Sequence, residues 1–150
     1  MREFNSYYDL AKEDMLTVEA LQGSKRFNNI AILCQQVCEK MLKSVAENVI
    51  EVELYSRQHK LHRIYKQIVG VTSGLDIPEE DLMFLSDFYI DARYPGDSFI
   101  RVSQEEVNRC CSIANNVITQ VDCWRKSNGL PVYDITDDTS DDLANLAENI

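Results

Sequence analysis

Arg93 sits among Tyr89, Asp91 and Tyr94 in the stretch Asp87-Phe-Tyr-Ile-Asp-Ala-Arg-Tyr-Pro-Gly-Asp97. A guanidinium stays protonated and makes forked contacts to phosphate or carboxylate oxygens. Phenols beside it stack and hydrogen-bond. The stretch begins as the end of an apolar helix. It stops at Tyr94-Pro95-Gly96, because proline lacks a backbone donor and glycine favours a turn. Two readings fit such a cluster: a ligand site, or a structural ion pair at a helix end with Asp91 or Asp97 as the partner of Arg93.

His59 and His62 are three residues apart and share a helix face. A metal would need one or two further ligands, and the cysteines are the only soft ones. Cys34, Cys38, Cys110 and Cys111 fall on apolar stripes, where a thiol behaves as a small hydrophobe. No metal site and no cofactor are therefore expected. His59 is expected as a hydrogen-bonding residue at a helix start, with ligand contact as the alternative. Lys40 and Lys43 are expected in water, with a phosphate contact beside Gln36 as their functional alternative. The sequence has no Gly-rich phosphate loop, no Gly-x-Ser-x-Gly and no paired CxxC knuckles.

These residues need elements to hold them. The 150 residues, 45% apolar, suit one domain with one core. No apolar run is long enough to span a bilayer, and no basic-then-apolar leader opens the chain. With five cysteines in no regular framework, this reads as a cytoplasmic protein with reduced thiols. Net charge is −10, and residues 129–150 hold six acidic side chains and no basic one. The body, residues 1–128, is only mildly acidic. That argues against broad binding to duplex DNA, which depends on neutralising phosphates, but leaves room for a small basic cleft for a nucleotide or short RNA.

Helical spacing predicts helices over about 5–22, 27–49, from about 61, and a fourth with Pro78 in its first turn that runs to the Arg93 stretch. Asp9, Lys12, Glu13 and Glu19 are expected to face water. Val52, Leu54 and Tyr55 are expected either to extend the second helix or to pack over the bundle end. Ser103-Gln-Glu-Glu106 reads as a capping box opening a last long helix, which ends near Asn128-Gly129. No segment alternates with period two. The expected fold is all-α: an antiparallel up-and-down bundle of four to five helices over 1–128, with an acidic C-terminal tail over 129–150 that carries a short helix near 141–148.

Helix two contains Cys34-Gln35-Gln36-Val37-Cys38-Glu39-Lys40-Met41-Leu42-Lys43, which resembles the QQ-x-x-E-K-x-L-K segment of HEPN domains. Gln58-His59-Lys60-Leu61 is similar to their short H-x-L helix start, and Tyr89-Ile90-Asp91-Ala92-Arg93-Tyr94-Pro95 to their Y-x-x-A-R-Y-P. Order and spacing agree over about 5–126. The resemblance implies an up-and-down helical bundle of a kind that often dimerises. It also implies a role in one of three settings: ribonucleases of the toxin and defence type, partners of a nucleotidyltransferase, or nucleotide-binding and scaffold modules.

The ribonuclease members carry an arginine, four to six residues, then a histidine. The histidine moves a proton and the arginine stabilises phosphate charge. With Arg93 as that arginine, the histidine falls at 98, 99 or 100, where this chain has Ser98, Phe99 and Ile100. Arg57 and His62 match the spacing formally, but at the start of the third helix rather than the last. The expectation is a homodimeric binding module for a nucleotide or RNA. Its ligand residues are expected to be Arg93, Tyr89, Tyr94, Asp91, His59, Gln36 and Lys40. The alternative is a divergent metal-independent ribonuclease using Arg93 with His59 or His62.

Overall fold

The computed structural model describes residues 6–135. Its helices are α1 (Tyr7–Ala20), α2 (Phe27–Val49), α3 (Leu61–Val69), α4 (Glu79–Ser86), α5 (Phe88–Asp91) and α6 (Gln104–Ser127), with a 3-10 turn over Val52–Leu54. Among the described residues there is no strand.

α2 and α6 are the long elements, with 23 and 24 residues. α2 is central and packs against every other helix. Its stripe of Ile30, Cys34, Val37, Cys38, Met41 and Val45 shares one core with Cys110, Ala114, Val117 and Val121 of α6. Truncating one large aliphatic side chain in such a core costs about 2–5 kcal/mol. Burial pushes the thiols of Cys34 and Cys38 well up, and that of Cys110 up to about 12. They are packing groups in their protonated form.

Helix ends follow local chemistry. The Ser6 hydroxyl accepts the Asp9 amide at 3.1 Å and starts α1. The capping box at Ser103 is present: its hydroxyl accepts the Glu106 amide, and the Glu106 carboxylate accepts the Ser103 amide, both at 3.1 Å. Glu79, Glu80 and Asp81 occupy the first turn of α4 after Pro78, where carboxylates complement the helix dipole. The fourth predicted helix is broken at Asp87, so α5 is a single turn that re-aims Tyr89 and the chain towards Arg93. Of the residues after α2, Tyr55 is buried, while Val52 and Leu54 remain exposed.

Asp9 and Lys12 do not face water. Both are buried, because the segment after α6 folds back over α1. The Tyr133 hydroxyl donates to Asp9 at 2.6 Å. Lys12 donates to Asp122 at 2.9 Å and to Asp134 at 3.0 Å, and the Tyr8 hydroxyl donates to Asp122 at 2.6 Å. Ile135 is buried as well. The first residues after the last helix thus pack on the bundle. The expected short helix near 141–148 lies outside the described residues.

Candidate functional site

α2 carries Gln35, Glu39 and Lys43 at intervals of four, which places them on one face of the helix. All three are buried. The expectation that Lys43 sits in water is therefore corrected. Its ammonium lies 3.2 Å from Glu39 Oε2 and donates to the Ser56 carbonyl at 3.1 Å. The residues after α2 fold across that face, so water is replaced by protein partners. Gln35 Nε2 donates to Glu39 Oε1 and to the His59 carbonyl, both at 3.2 Å. A buried ion pair is tolerated when its remaining donors and acceptors find partners, and here the Ser56 carbonyl, Gln35 and His59 supply them.

His59 joins this network from the segment before α3. Its Nδ1 lies 3.1 Å from Glu39 Oε1. A carboxylate oxygen accepts, so Nδ1 is assigned the hydrogen. Nε2 makes no hydrogen bond with the described residues. The His59 side chain is 43% exposed, so the ring reaches from a buried carboxylate to solvent.

α5 supplies the next layer. The Tyr89 ring stacks on His59, with centroids 4.5 Å apart and planes 11° apart. The Arg93 guanidinium lies 5.1 Å from the Tyr89 ring centre, in cation–π range. Among the described residues no carboxylate is within ion-pair distance of Arg93, so the expected pairing with Asp91 or Asp97 does not form. The reason lies in the chain path. Arg93 sits just past α5 on an exposed turn, where the aromatic face is its nearest partner.

His59, Tyr89 and Asp91 line a cleft of about 390 Å³ with Arg57, Lys60 and Asp87. Arg93 adjoins it through Tyr89. Its wall is set by backbone contacts. The Ser86 hydroxyl accepts the Leu61 amide at 2.9 Å, tying α4 to the start of α3, and the Ile100 amide donates to the Asp91 carbonyl at 2.7 Å.

The other predicted site residues lie elsewhere. Gln36 donates to Gln35 Oε1 at 2.6 Å, behind the network rather than in the cleft. Lys40 pairs with Asp14 of α1 at 2.5 Å. Tyr94 is exposed on a neighbouring depression with Pro95 and Phe99. His62 does not line the cleft, and its Nδ1 is buried without a hydrogen-bond partner. Among the described residues no His, Cys, Asp and Glu side chains group to hold a metal.

A family model of the HEPN domain matches residues 5–124. The chain belongs to the HEPN domain family. Searches of curated proteins and of solved structures returned no match. The match runs from the start of α1 almost to the end of α6, so it covers every helix that builds the site. In this HEPN chain the buried residues Gln35, Glu39 and Lys43 were not picked out as site residues from the sequence. The signal was present: three polar side chains at intervals of four, on one face of α2. No helix among the described residues is long and apolar enough to cross a membrane.

Proposed function

We propose that this HEPN chain is a non-catalytic binding module for a nucleotide or RNA, centred on Arg93. One observation carries the reading. Arg93 is a cation without a carboxylate partner among the described residues, held at a cleft by the Tyr89 ring, which itself stacks on His59. A guanidinium without an ion-pair partner beside stacked rings suits a phosphate and a base. Where the ribonuclease motif would put a histidine, this chain has Ser98, Phe99 and Ile100. None of them titrates near neutral pH, and Arg93 stays protonated and takes no proton.

A second reading has an observation of its own. His59 has one ring nitrogen on Glu39 and the other unpartnered, and it is joined to Arg93 through Tyr89. A carboxylate-oriented imidazole near a cation is an arrangement for moving a proton at a phosphate. In that reading Arg93 and His59 form a divergent ribonuclease pair, and His62 is not part of it. Incubating labelled single-stranded RNA with wild type, Arg93→Ala and His59→Ala separates the two. Binding without product supports the module, and product that disappears in both variants supports the enzyme.

A second copy of the chain and a nucleotidyltransferase are the partners this reading carries. Ile90, Tyr94 and Phe99 are exposed apolar side chains on the segment around Arg93, a surface suited to self-association. Sedimentation at micromolar concentration tests the homodimer, and a monomer throughout removes it. Copurification with a nucleotidyltransferase encoded nearby tests the second partner. A cytoplasmic location fits five free thiols, three of them buried, and is checked by fractionation.

A further inference from the structure

A second cavity adjoins the same segment, between the α1–α2 turn and residues 99–102. It has a volume of about 620 Å³, larger than the Arg93 cleft. Lys25, Arg26 and Arg101 line it, brought together from two parts of the chain. No carboxylate lines it, and among the described residues none of the three cations makes an ion pair. In a chain of net charge −10, three unneutralised cations facing one concavity are a local reversal of sign.

The walls are set in advance. Asn28 spends its whole side chain on the opposite loop. Its Nδ2 donates to the Ala92 and Ile100 carbonyls at 3.1 and 2.8 Å, and its Oδ1 accepts the Val102 amide at 2.9 Å. This clip fixes Arg101 against the start of α2. That start has no side-chain cap, so its dipole adds to the positive field. Phe27 and Phe99 are the aromatic side chains of the same cavity, and Phe99 is exposed.

The geometry points to a phosphate-bearing nucleotide unit as the ligand of this cavity. The phosphate would sit among Lys25, Arg26 and Arg101, and the base against Phe27 or Phe99. Cations supply the phosphate contacts and ring faces supply sequence-tolerant stacking. The assignment rests on the reading of the chain as a nucleotide- or RNA-binding module and adds a site that reading does not contain. The unit is either a free mononucleotide or one residue of a single strand.

The test is fluorescence anisotropy with a short labelled single-stranded RNA, competed by AMP and by inorganic phosphate. It compares wild type, Arg93→Ala, the triple variant Lys25→Gln/Arg26→Gln/Arg101→Gln, and Phe99→Leu. The three cations are exposed, so the triple variant is expected to melt like wild type. The expected result is at least tenfold weaker binding by the triple variant. Removing the site for one phosphate should also flatten the slope of log affinity on log salt by ~0.7. Phe99→Leu is expected to weaken binding several-fold without changing that slope. Competition by AMP but not by phosphate at equal concentration identifies a mononucleotide site. Competition by neither identifies the strand. Competition by both alike means an anion site without base contact and overturns the nucleotide assignment. Wild-type affinity in the triple variant, with loss in Arg93→Ala, overturns this cavity and leaves the Arg93 reading standing. No binding by wild type, either of the RNA or of labelled AMP titrated directly, removes both.

Discussion

The imidazole of His59 lies flat on the phenol of Tyr89, 4.5 Å between ring centres. His59 belongs to the segment before α3 and is tied to α2 through Glu39, whereas Tyr89 belongs to the one-turn α5. This stack is the bridge between the buried network of α2 and the exposed Arg93.

Replacing Tyr89 tests the bridge. Tyr89→Leu keeps apolar bulk but removes both the stack and the cation–π contact. Such aromatic pairs are worth about 0.5–1.5 kcal/mol beyond burial, so the expected loss of stability is of that order. RNA affinity is expected to fall with it, because Arg93 loses its support. Urea unfolding and anisotropy on the same variant check both. Full affinity in Tyr89→Leu would show that Arg93 is placed by something else.

The pair Glu39–Lys43 is expected to behave as a buried ion pair. Removing one partner leaves a charge without its counter-ion, at a cost of about 3–5 kcal/mol. Glu39→Ala and Lys43→Ala should each show it. Replacing both, as Glu39→Leu with Lys43→Met, is expected to recover part of the loss: no lone charge remains, but Gln35 and the Ser56 carbonyl lose a partner. Urea midpoints for the single and double variants decide it. Single variants near wild type would mean that water reaches the pair.

How much of this was legible in the sequence depends on what each residue touches. The stripe of α2 was readable because ten apolar positions recur in steps of three and four, and its bounds of 27–49 agree with the structure. The capping box at Ser103 was readable because its chemistry is local to four residues. Lys43, Asp9 and Lys12 were placed in water because their partners are distant in the chain: the Ser56 carbonyl, Tyr133, and Asp122 with Asp134. Periodicity reports which face is apolar, not whether another segment will cover a polar one. The cavity beside α2 was hidden for the same reason. Lys25 and Arg101 are ordinary surface cations until Asn28 clips their segments together.

The α1 end of the bundle contributes to the alkaline limb of stability. Burial, followed by the hydrogen bond to Asp122, pushes the Tyr8 phenol above its ordinary 10.0. Burial alone would lower Lys12, but its bonds to Asp122 and Asp134 outweigh that and hold it above its ordinary 10.5. Both groups keep their protons longer folded than unfolded. Their contribution is therefore complete below about pH 10 and is lost as pH rises through the shifted values. Stability is expected to fall already above about pH 9, where the buried thiols of Cys34, Cys38 and Cys110 resist ionisation, and the part of the fall above about pH 10 is expected to be less steep in Tyr8→Phe/Lys12→Met, which lacks both titrating groups. Urea midpoints against pH measure it. Parallel curves for wild type and the double variant would assign the limb to other groups.

The central claim is that Arg93 binds and does not cleave. The most direct measurement follows one labelled single-stranded RNA with purified wild type and Arg93→Ala, reading affinity by anisotropy and integrity on a denaturing gel. The account predicts intact RNA with both proteins, and binding by wild type that weakens at least several-fold in Arg93→Ala while the variant's melting is unchanged. RNA cut by wild type and left whole by Arg93→Ala would contradict it.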